Sequence, residues 1–170
     1  MKRMGFMLMA LVLVLLAVSC AKAPETTPGT QLPNPVHDSS AQEILEKLGI
    51  TLHLPPDAQD VHYSILELTG EPSVAQAQFS SSGLACTYRI QPASELKDIS
   101  GAYFDWKSDK DIEISYCPGE VHYLEGEQGI CLWYDVVPGL MYSLYVENGA
   151  SEEILLNLAN QMYVPAKDVP

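Results

Sequence analysis

Between Val61 and Val146, apolar residues recur at every second position in short runs. No other feature limits the fold as tightly, because a strand turns successive side chains to opposite faces and a helix does not. The alternation is clearest in Leu84-Ala85-Cys86-Thr87-Tyr88-Arg89-Ile90 and in Ile112-Glu113-Ile114-Ser115-Tyr116. The runs are broken at Gly70-Glu71-Pro72, Ser82-Gly83, Ser108-Asp109-Lys110, Pro118-Gly119, residues 126–129 and Pro138-Gly139, all built from residues that favour turns. The spacing predicts strands near 61–68, 73–80, 84–91, 101–107, 111–117, 120–125, 130–137 and 140–147. Joints this short imply antiparallel hairpins. Residues 92–100 read as a longer polar connection.

A helix is expected on either side of this region. Ser40-Ala41-Gln42-Glu43 is a capping box, with Ser40 accepting an early N–H and Glu43 reaching back. Ala41, Ile44, Leu45 and Leu48 then share one helical face. Gly49 suits a left-handed helix end, and Leu54-Pro55-Pro56-Asp57 blocks continuation. At the other end, Ile154, Leu155, Leu158, Ala159 and Met162 form an apolar stripe at helical spacing. Asn148 or Ser151 is the expected cap, Glu152 and Glu153 complement the positive end of the helix dipole, and Pro165 ends the helix. The expected class is α+β, an antiparallel β-sheet meander with an N-terminal and a C-terminal helix packed on it. It forms a single domain over 39–170.

The first residues carry a different signal. Met1-Lys2-Arg3 is cationic, Met4 to Val18 is an apolar run, and Ser19-Cys20 ends it. This is the layout of a secretory signal, and the run is shorter than the roughly 20 residues of a membrane span. Leu16-Ala17-Val18-Ser19-Cys20 resembles the lipobox of bacterial lipoproteins, with Ala17 where Leu is commoner. In that family the cysteine is acylated and the signal is cut before it. The resemblance implies a signal peptide over 1–19 and lipidation at Cys20. The partner it implies is the cell membrane, met through the lipid anchor on its extracytoplasmic face. Residues 21–38 are rich in Pro, Thr, Gly, Asn and Ser. They hold too few large apolar groups to fold, so residues 20–38 are expected to be a flexible tether.

Charge narrows the partners. The chain has 22 Asp and Glu against 9 Lys and Arg, a net charge of −13. Phosphate backbones are repelled and no basic patch exists, so nucleic acid is excluded. The same charge opposes adsorption to anionic lipid, which leaves acyl chains as the anchor.

Catalytic signatures are missing. There is no Gly-x-Ser-x-Gly elbow, His-Glu-x-x-His, Walker loop or dinucleotide-binding glycine run, and no cofactor is expected. His37, His53, His62 and His122 lack ligand spacing. Asp105, Asp109, Asp111 and Glu113 lack the Gly and closing Glu of a calcium loop. No metal site is assigned. Beyond Cys20 the cysteines are Cys86, Cys117 and Cys131. Cys86 shares strand parity with Leu84, Tyr88 and Ile90 and reads as a buried inert thiol, with Arg89 on the opposite side. An exported chain permits one pair, Cys117 with Cys131, across an easily closed loop. Three reduced thiols are equally compatible with the sequence. Tyr103, Trp106, Trp133 and Tyr134 are the candidate aromatic binding surface, with core packing as the competing role.

The second half resembles a known family. Leu132-Trp133-Tyr134, Gly139-Leu140-Met141-Tyr142-Ser143-Leu144 and Ser151-Glu152-Glu153-Ile154-Leu155 resemble an uncharacterised family of bacterial exported domains. These domains occur in small lipoproteins and in the outer parts of anti-sigma-factor-like membrane proteins. Ala75-Gln76-Ala77-Gln78-Phe79, Tyr88-Arg89 and Asp98-Ile99-Ser100-Gly101 resemble its lipoprotein subgroup. The likeness spans roughly 48–163 and implies an α+β fold with an antiparallel sheet, without an activity. The expected function is a membrane-anchored exported lipoprotein with a non-catalytic binding or sensing domain for a protein, peptide or glycan. The alternatives are a surface hydrolase assembled from scattered acids and a structural envelope lipoprotein.

Overall fold

The alternating segment forms part of one eight-stranded antiparallel sheet. The structure, a computed structural model, describes residues 35–165. The signal peptide, Cys20 and the tether up to residue 34 lie outside the described residues. The elements are β1 (Val36–Ser39), α1 (Ala41–Leu48), β2 (Gln59–Leu66), β3 (Val74–Ser81), β4 (Leu84–Pro92), β5 (Ser108–Ile114), β6 (Cys117–Tyr123), β7 (Gly129–Asp135), β8 (Leu140–Val146) and α2 (Glu152–Met162). In space the order is β1-β2-β3-β4-β8-β7-β6-β5. Two four-stranded meanders therefore meet at β4 and β8, the central pair.

One face carries the main core. Ala75, Ala77 and Phe79 of β3 stand beside Ile90, Tyr88 and Cys86 of β4. The rows continue into Tyr142, Leu144 and Val146 of β8 and Cys131 and Trp133 of β7. All of these are buried. Trp133 and Tyr142 are cross-strand partners whose rings stack 5.1 Å apart and 3° from parallel, an aromatic pair that adds to the area buried.

Both helices cover this face. In α1, Ser40 accepts the Glu43 N–H at 3.1 Å, Ile44 is fully buried, and Gly49 caps the end at φ 69° with its N–H on Leu45 O. In α2, Ser151 accepts the Ile154 N–H at 3.3 Å, and Leu155, Leu158, Ala159 and Met162 are buried. The α+β expectation, helices on an antiparallel sheet, holds. Among the described residues no helix is long and apolar enough to cross a membrane.

Three expectations change. Ser108-Asp109-Lys110 and Pro118-Gly119, read as turns, lie within β5 and β6, and that hairpin turns at Ser115-Tyr116 instead. Val36, His37 and Asp38, read as tether, pair with Leu66, Ile65 and Ser64 as an edge strand. Edge pairing uses backbone groups, so it does not need the alternating apolar side chains that the sequence lacks there. Conversely, 101–107 is not a strand. Gly101 at φ 67° breaks extension, and residues 93–107 cross the second face of the sheet. The alternation there is real: Ala102 is buried on that face, and Trp106 packs against the same cluster of Ile130, Leu132 and Met141. The apolar side chains serve a covering loop, not a hydrogen-bonded strand.

Candidate ligand-binding site

The second face is polar at its centre. Thr87, Arg89 and Gln91 of β4 alternate away from the main core, and Ser64, Gln76, Arg89 and Ser143 lie side by side across four strands. Gln76 donates to Ser64 Oγ at 3.0 Å, and its amide oxygen accepts Arg89 Nε at 2.7 Å. Nη1 of Arg89 donates to the backbone carbonyls of Ile99 at 3.0 Å and Ser100 at 2.5 Å. The guanidinium thus ties the covering loop to the sheet. The loop is turned by Asp98, which accepts the Ser100 N–H at 2.7 Å, and by Ser100 Oγ, which accepts the Ala102 N–H at 3.1 Å. Gly101 lies directly over the guanidinium, where a Cβ would come within 2.6 Å of Nη1.

Arg89 is the sole arginine after Arg3. It is part-buried, and desolvation lowers its pKa. Among the described residues no carboxylate lies within ion-pair distance of it. Three of its five N–H groups are used, all on neutral acceptors, and Nη2 has no partner among the described hydrogen bonds. A half-buried cation without an anion is unusual, because desolvating a charge is expensive unless it is paired.

This guanidinium lines a cavity of about 240 Å³ with Thr87, Ser100, Gly101, Tyr103, Phe104 and Tyr145. Tyr103 is 90% exposed and Phe104 42%. The Phe104 ring lies 6.3 Å from Tyr145 and 5.2 Å, edge to face, from Trp106. The site offers one cationic donor, flanking hydroxyls and an aromatic rim.

Three hollows among the described residues are larger. The one of about 450 Å³ is lined by Pro72, Pro92, Ala93, Glu95 and Lys97, whose ammonium is paired with Glu71 at 2.8 Å. The one of about 530 Å³ beside β1 and α1 contains Glu43 paired with Lys47 and His37 facing Glu67. The one of about 330 Å³ beside α2 contains Asp57 and Glu153. Asp57 accepts Ser81 Oγ, Ser82 N and Ser82 Oγ at 2.8–2.9 Å, bonds that hold its carboxyl below the usual range. It closes the β3–β4 turn and is not placed as an acid catalyst.

The four predicted aromatics separate. Tyr103 is on the cavity rim, and Trp106 backs it through Phe104. Tyr134 is on the same sheet face but donates to the Ala93 carbonyl at 3.3 Å, fastening the start of the loop. Trp133 is fully buried on the opposite face, so its place on a binding surface is corrected to core packing. Strand parity alone separates Trp133 from Tyr134. Sequence reasoning missed Arg89, Phe104 and Tyr145 as a group. The available signal was a lone arginine in the middle of an otherwise well-patterned strand.

The Cys117–Cys131 pairing is also corrected. Cys131 stands opposite Val121, four positions along β6 from Cys117. At about 3.3 Å per residue the two are roughly 13 Å apart, beyond the 7 Å limit for a bridge. All three described cysteines are free and buried. Burial pushes the Cys86 and Cys131 thiols up to about 12, which disarms them as nucleophiles. Cys86 and Arg89 do face opposite sides, as parity required. His122 has Asp109 at 3.3 Å from Nδ1 and Glu120 at 3.2 Å from Nε2. Among the described residues no three His, Cys, Asp or Glu side chains gather as metal ligands.

No family model, curated protein or solved structure matches the chain.

Proposed function

We propose that this chain is an exported lipoprotein, anchored to the extracytoplasmic face of the cell membrane through acyl chains on Cys20, whose domain binds a ligand and performs no covalent chemistry. The anchoring half is supported by the sequence from Met1 to Cys20 and its resemblance to a lipobox. The binding half is carried by one observation: the part-buried guanidinium of Arg89, without a carboxylate, opens on a cavity rimmed by exposed aromatics. A scaffold needs neither. A hydrolase asks for a nucleophile or paired carboxylates at such a cavity, and the lining residues of this one include no carboxylate, histidine or thiol. The tether sets the domain off from the membrane, where a protein, peptide or glycan can reach it.

Detergent phase partitioning of the native chain and the Cys20→Ser variant tests the anchor. The native chain enters the detergent phase, and the variant stays aqueous or accumulates uncleaved. Unchanged partitioning of the variant would overturn the lipoprotein reading. The binding half is tested by retention of surface components on the immobilised protein, compared with a Tyr103→Ala variant. Equal retention by the two would remove the cavity from the function.

A further inference from the structure

The cavity restricts the chemistry of what it holds. Its cation is single: Arg89 is the only lysine or arginine among the lining residues, in a chain of net charge −13. A phosphate carries about −1.5 to −2 at neutral pH, so one guanidinium would leave it partly uncompensated among acids. A carboxylate carries a single charge and matches the site. The carboxylate whose charge acts on Arg89 belongs to Asp98. Its carboxylate is beyond ion-pair distance and accepts the Ser100 N–H, so it shapes the loop and does not neutralise the cation.

The geometry of the donors points the same way. Nε and Nη1 are committed to Gln76, Ile99 and Ser100, which fixes the plane of the guanidinium. Nη2 alone has N–H groups without a partner among the described residues, a charged donor whose bond to a carboxylate oxygen is stronger than a neutral one. The hydroxyl-bearing neighbours Thr87 and Tyr145 lie on the same sheet face in the adjacent cross-strand row. On the other side of the cavity, Tyr103 and Phe104 offer rings to a flat apolar body. Rings that are 90% and 42% exposed are available for stacking without disturbing the core.

We propose that the Arg89 cavity binds a small organic carboxylate with an aromatic body, its carboxylate on Nη2 of Arg89 and its ring against Tyr103, Phe104 and Tyr145. This rests on the binding-domain reading above and replaces its protein, peptide or glycan with a small ligand of one chemical class.

The test is equilibrium dialysis of the full-length protein in nonionic detergent against radiolabelled phenylacetate, with a detergent blank. Phenethyl alcohol supplies the same ring without the charge, and inorganic phosphate supplies charge without the ring. Phenylacetate saturates one site, phenethyl alcohol displaces it only at about tenfold or higher concentration, and phosphate does not displace it. Arg89→Met weakens phenylacetate by about tenfold or more. That arginine also holds the loop, so Tyr103→Ala, at a position that nothing in the core touches, is the second variant. It weakens phenylacetate several-fold and leaves the circular dichroism unchanged. Equal affinity for phenethyl alcohol, or an Arg89→Met protein that is folded and binds normally, would overturn the carboxylate class. Displacement by phosphate at equal concentration would replace it with a general anion site. Absence of saturable phenylacetate binding would also overturn it. The Cys20 partitioning remains a separate readout for the anchored-lipoprotein reading, which stands or falls independently of this cavity.

Discussion

The hydroxyl of Tyr163 donates to Asp135 Oδ2 at 2.5 Å, joining the end of α2 to the end of β7. Both residues are buried. The same hydroxyl is 2.8 Å from that of Tyr116 and 3.2 Å from Cys117 Sγ. Asp135 also accepts the Val137 N–H at 3.1 Å, which turns the chain toward β8. Tyr163→Phe removes a partner from a buried carboxylate and is expected to lower stability by about 1–3 kcal/mol. Tyr116→Phe removes a 3.4 Å contact to Asp135 and the 2.8 Å contact to the Tyr163 hydroxyl, both from a ring that is 37% exposed, where water can substitute. It is expected to change stability by less than about 0.5 kcal/mol. Urea melts of the two variants separate the roles, and equal midpoints would make the Tyr163 bond incidental.

The thiols give an independent check on the register. Cys86, Cys117 and Cys131 are buried and unpaired. At pH 8 none of the three is expected to react with a thiol reagent in the folded protein within minutes, because the thiolate is the reactive form. All three react in denaturant without a reductant. A protein that releases one thiol in place of three under those conditions would contain a disulfide, and the β6–β7 pairing described above would be wrong.

Alkaline stability follows from the same burial. Desolvation raises the pKa of Cys86 and Cys131 to about 12 from an ordinary value of 9.0. It also raises those of Tyr88, Tyr142 and Tyr163, each from 10.0. A group whose folded pKa exceeds its unfolded value stabilises the fold fully below the unfolded pKa and loses that contribution as pH rises through the folded one. The unfolded chain therefore ionises first. Stability is expected to be flat with respect to these groups below about pH 9, and to fall from about 9 to 12 as thiols and then phenols are deprotonated in the unfolded state. Urea midpoints measured at pH 8, 9, 10 and 11 would show it. A midpoint that holds constant to pH 11 would mean that these side chains are hydrated in solution.

The strands were legible where one face is uniformly apolar. In β4, Cys86, Tyr88 and Ile90 alternate with Thr87, Arg89 and Gln91, and both sets face where parity puts them. Both helices were readable from their caps: Ser40 and Gly49 bound α1, and Ser151 caps the start of α2. Three features were not legible, each for a physical reason. β1 forms through backbone pairing with exposed contacts of His37 to Glu67 and Asp38 to His62 beside it, which leaves no apolar period to detect. The loop over the second face carries apolar side chains at alternate positions like a strand, but it lays Ala102 and Trp106 on the sheet and leaves Phe104 at the cavity rim. Which strands are adjacent depends on the meeting of β4 with β8, a contact between segments some fifty residues apart that no local pattern encodes. The site depended on that contact: Arg89 is on β4 and Tyr145 on β8, and they share a cavity with Tyr103 only because the loop folds back across both. Trp133 and Tyr134, adjacent in sequence, show the converse, ending on opposite faces of the sheet.

The closing helix gives the sharpest test of the packing. Leu155 and Leu158 are buried on the main core, while Asn157 and Asn160 are exposed. Leu155→Ala and Leu158→Ala are each expected to cost about 2–5 kcal/mol. Asn157→Ala and Asn160→Ala, whose bonds to Gln161 and to the Leu156 carbonyl stay on the solvent side, should cost less than about 0.5 kcal/mol. The floor beneath the helix is Gly129 on β7. A Cβ there would lie 2.8 Å from Tyr123 Cβ, 2.9 Å from Ala150 Cβ and 3.0 Å from Leu155 Cδ1. Gly129→Ala therefore overpacks the contact and is expected to destabilise by about 1–3 kcal/mol. Because Leu155→Ala deletes one of those three clashing atoms, the double variant should lose less stability than the two singles combined, by about 0.5 kcal/mol or more. A double-mutant cycle from urea melts measures that difference. Strict additivity would mean that Leu155 does not rest on Gly129, and the seating of α2 on the sheet would have to be redrawn.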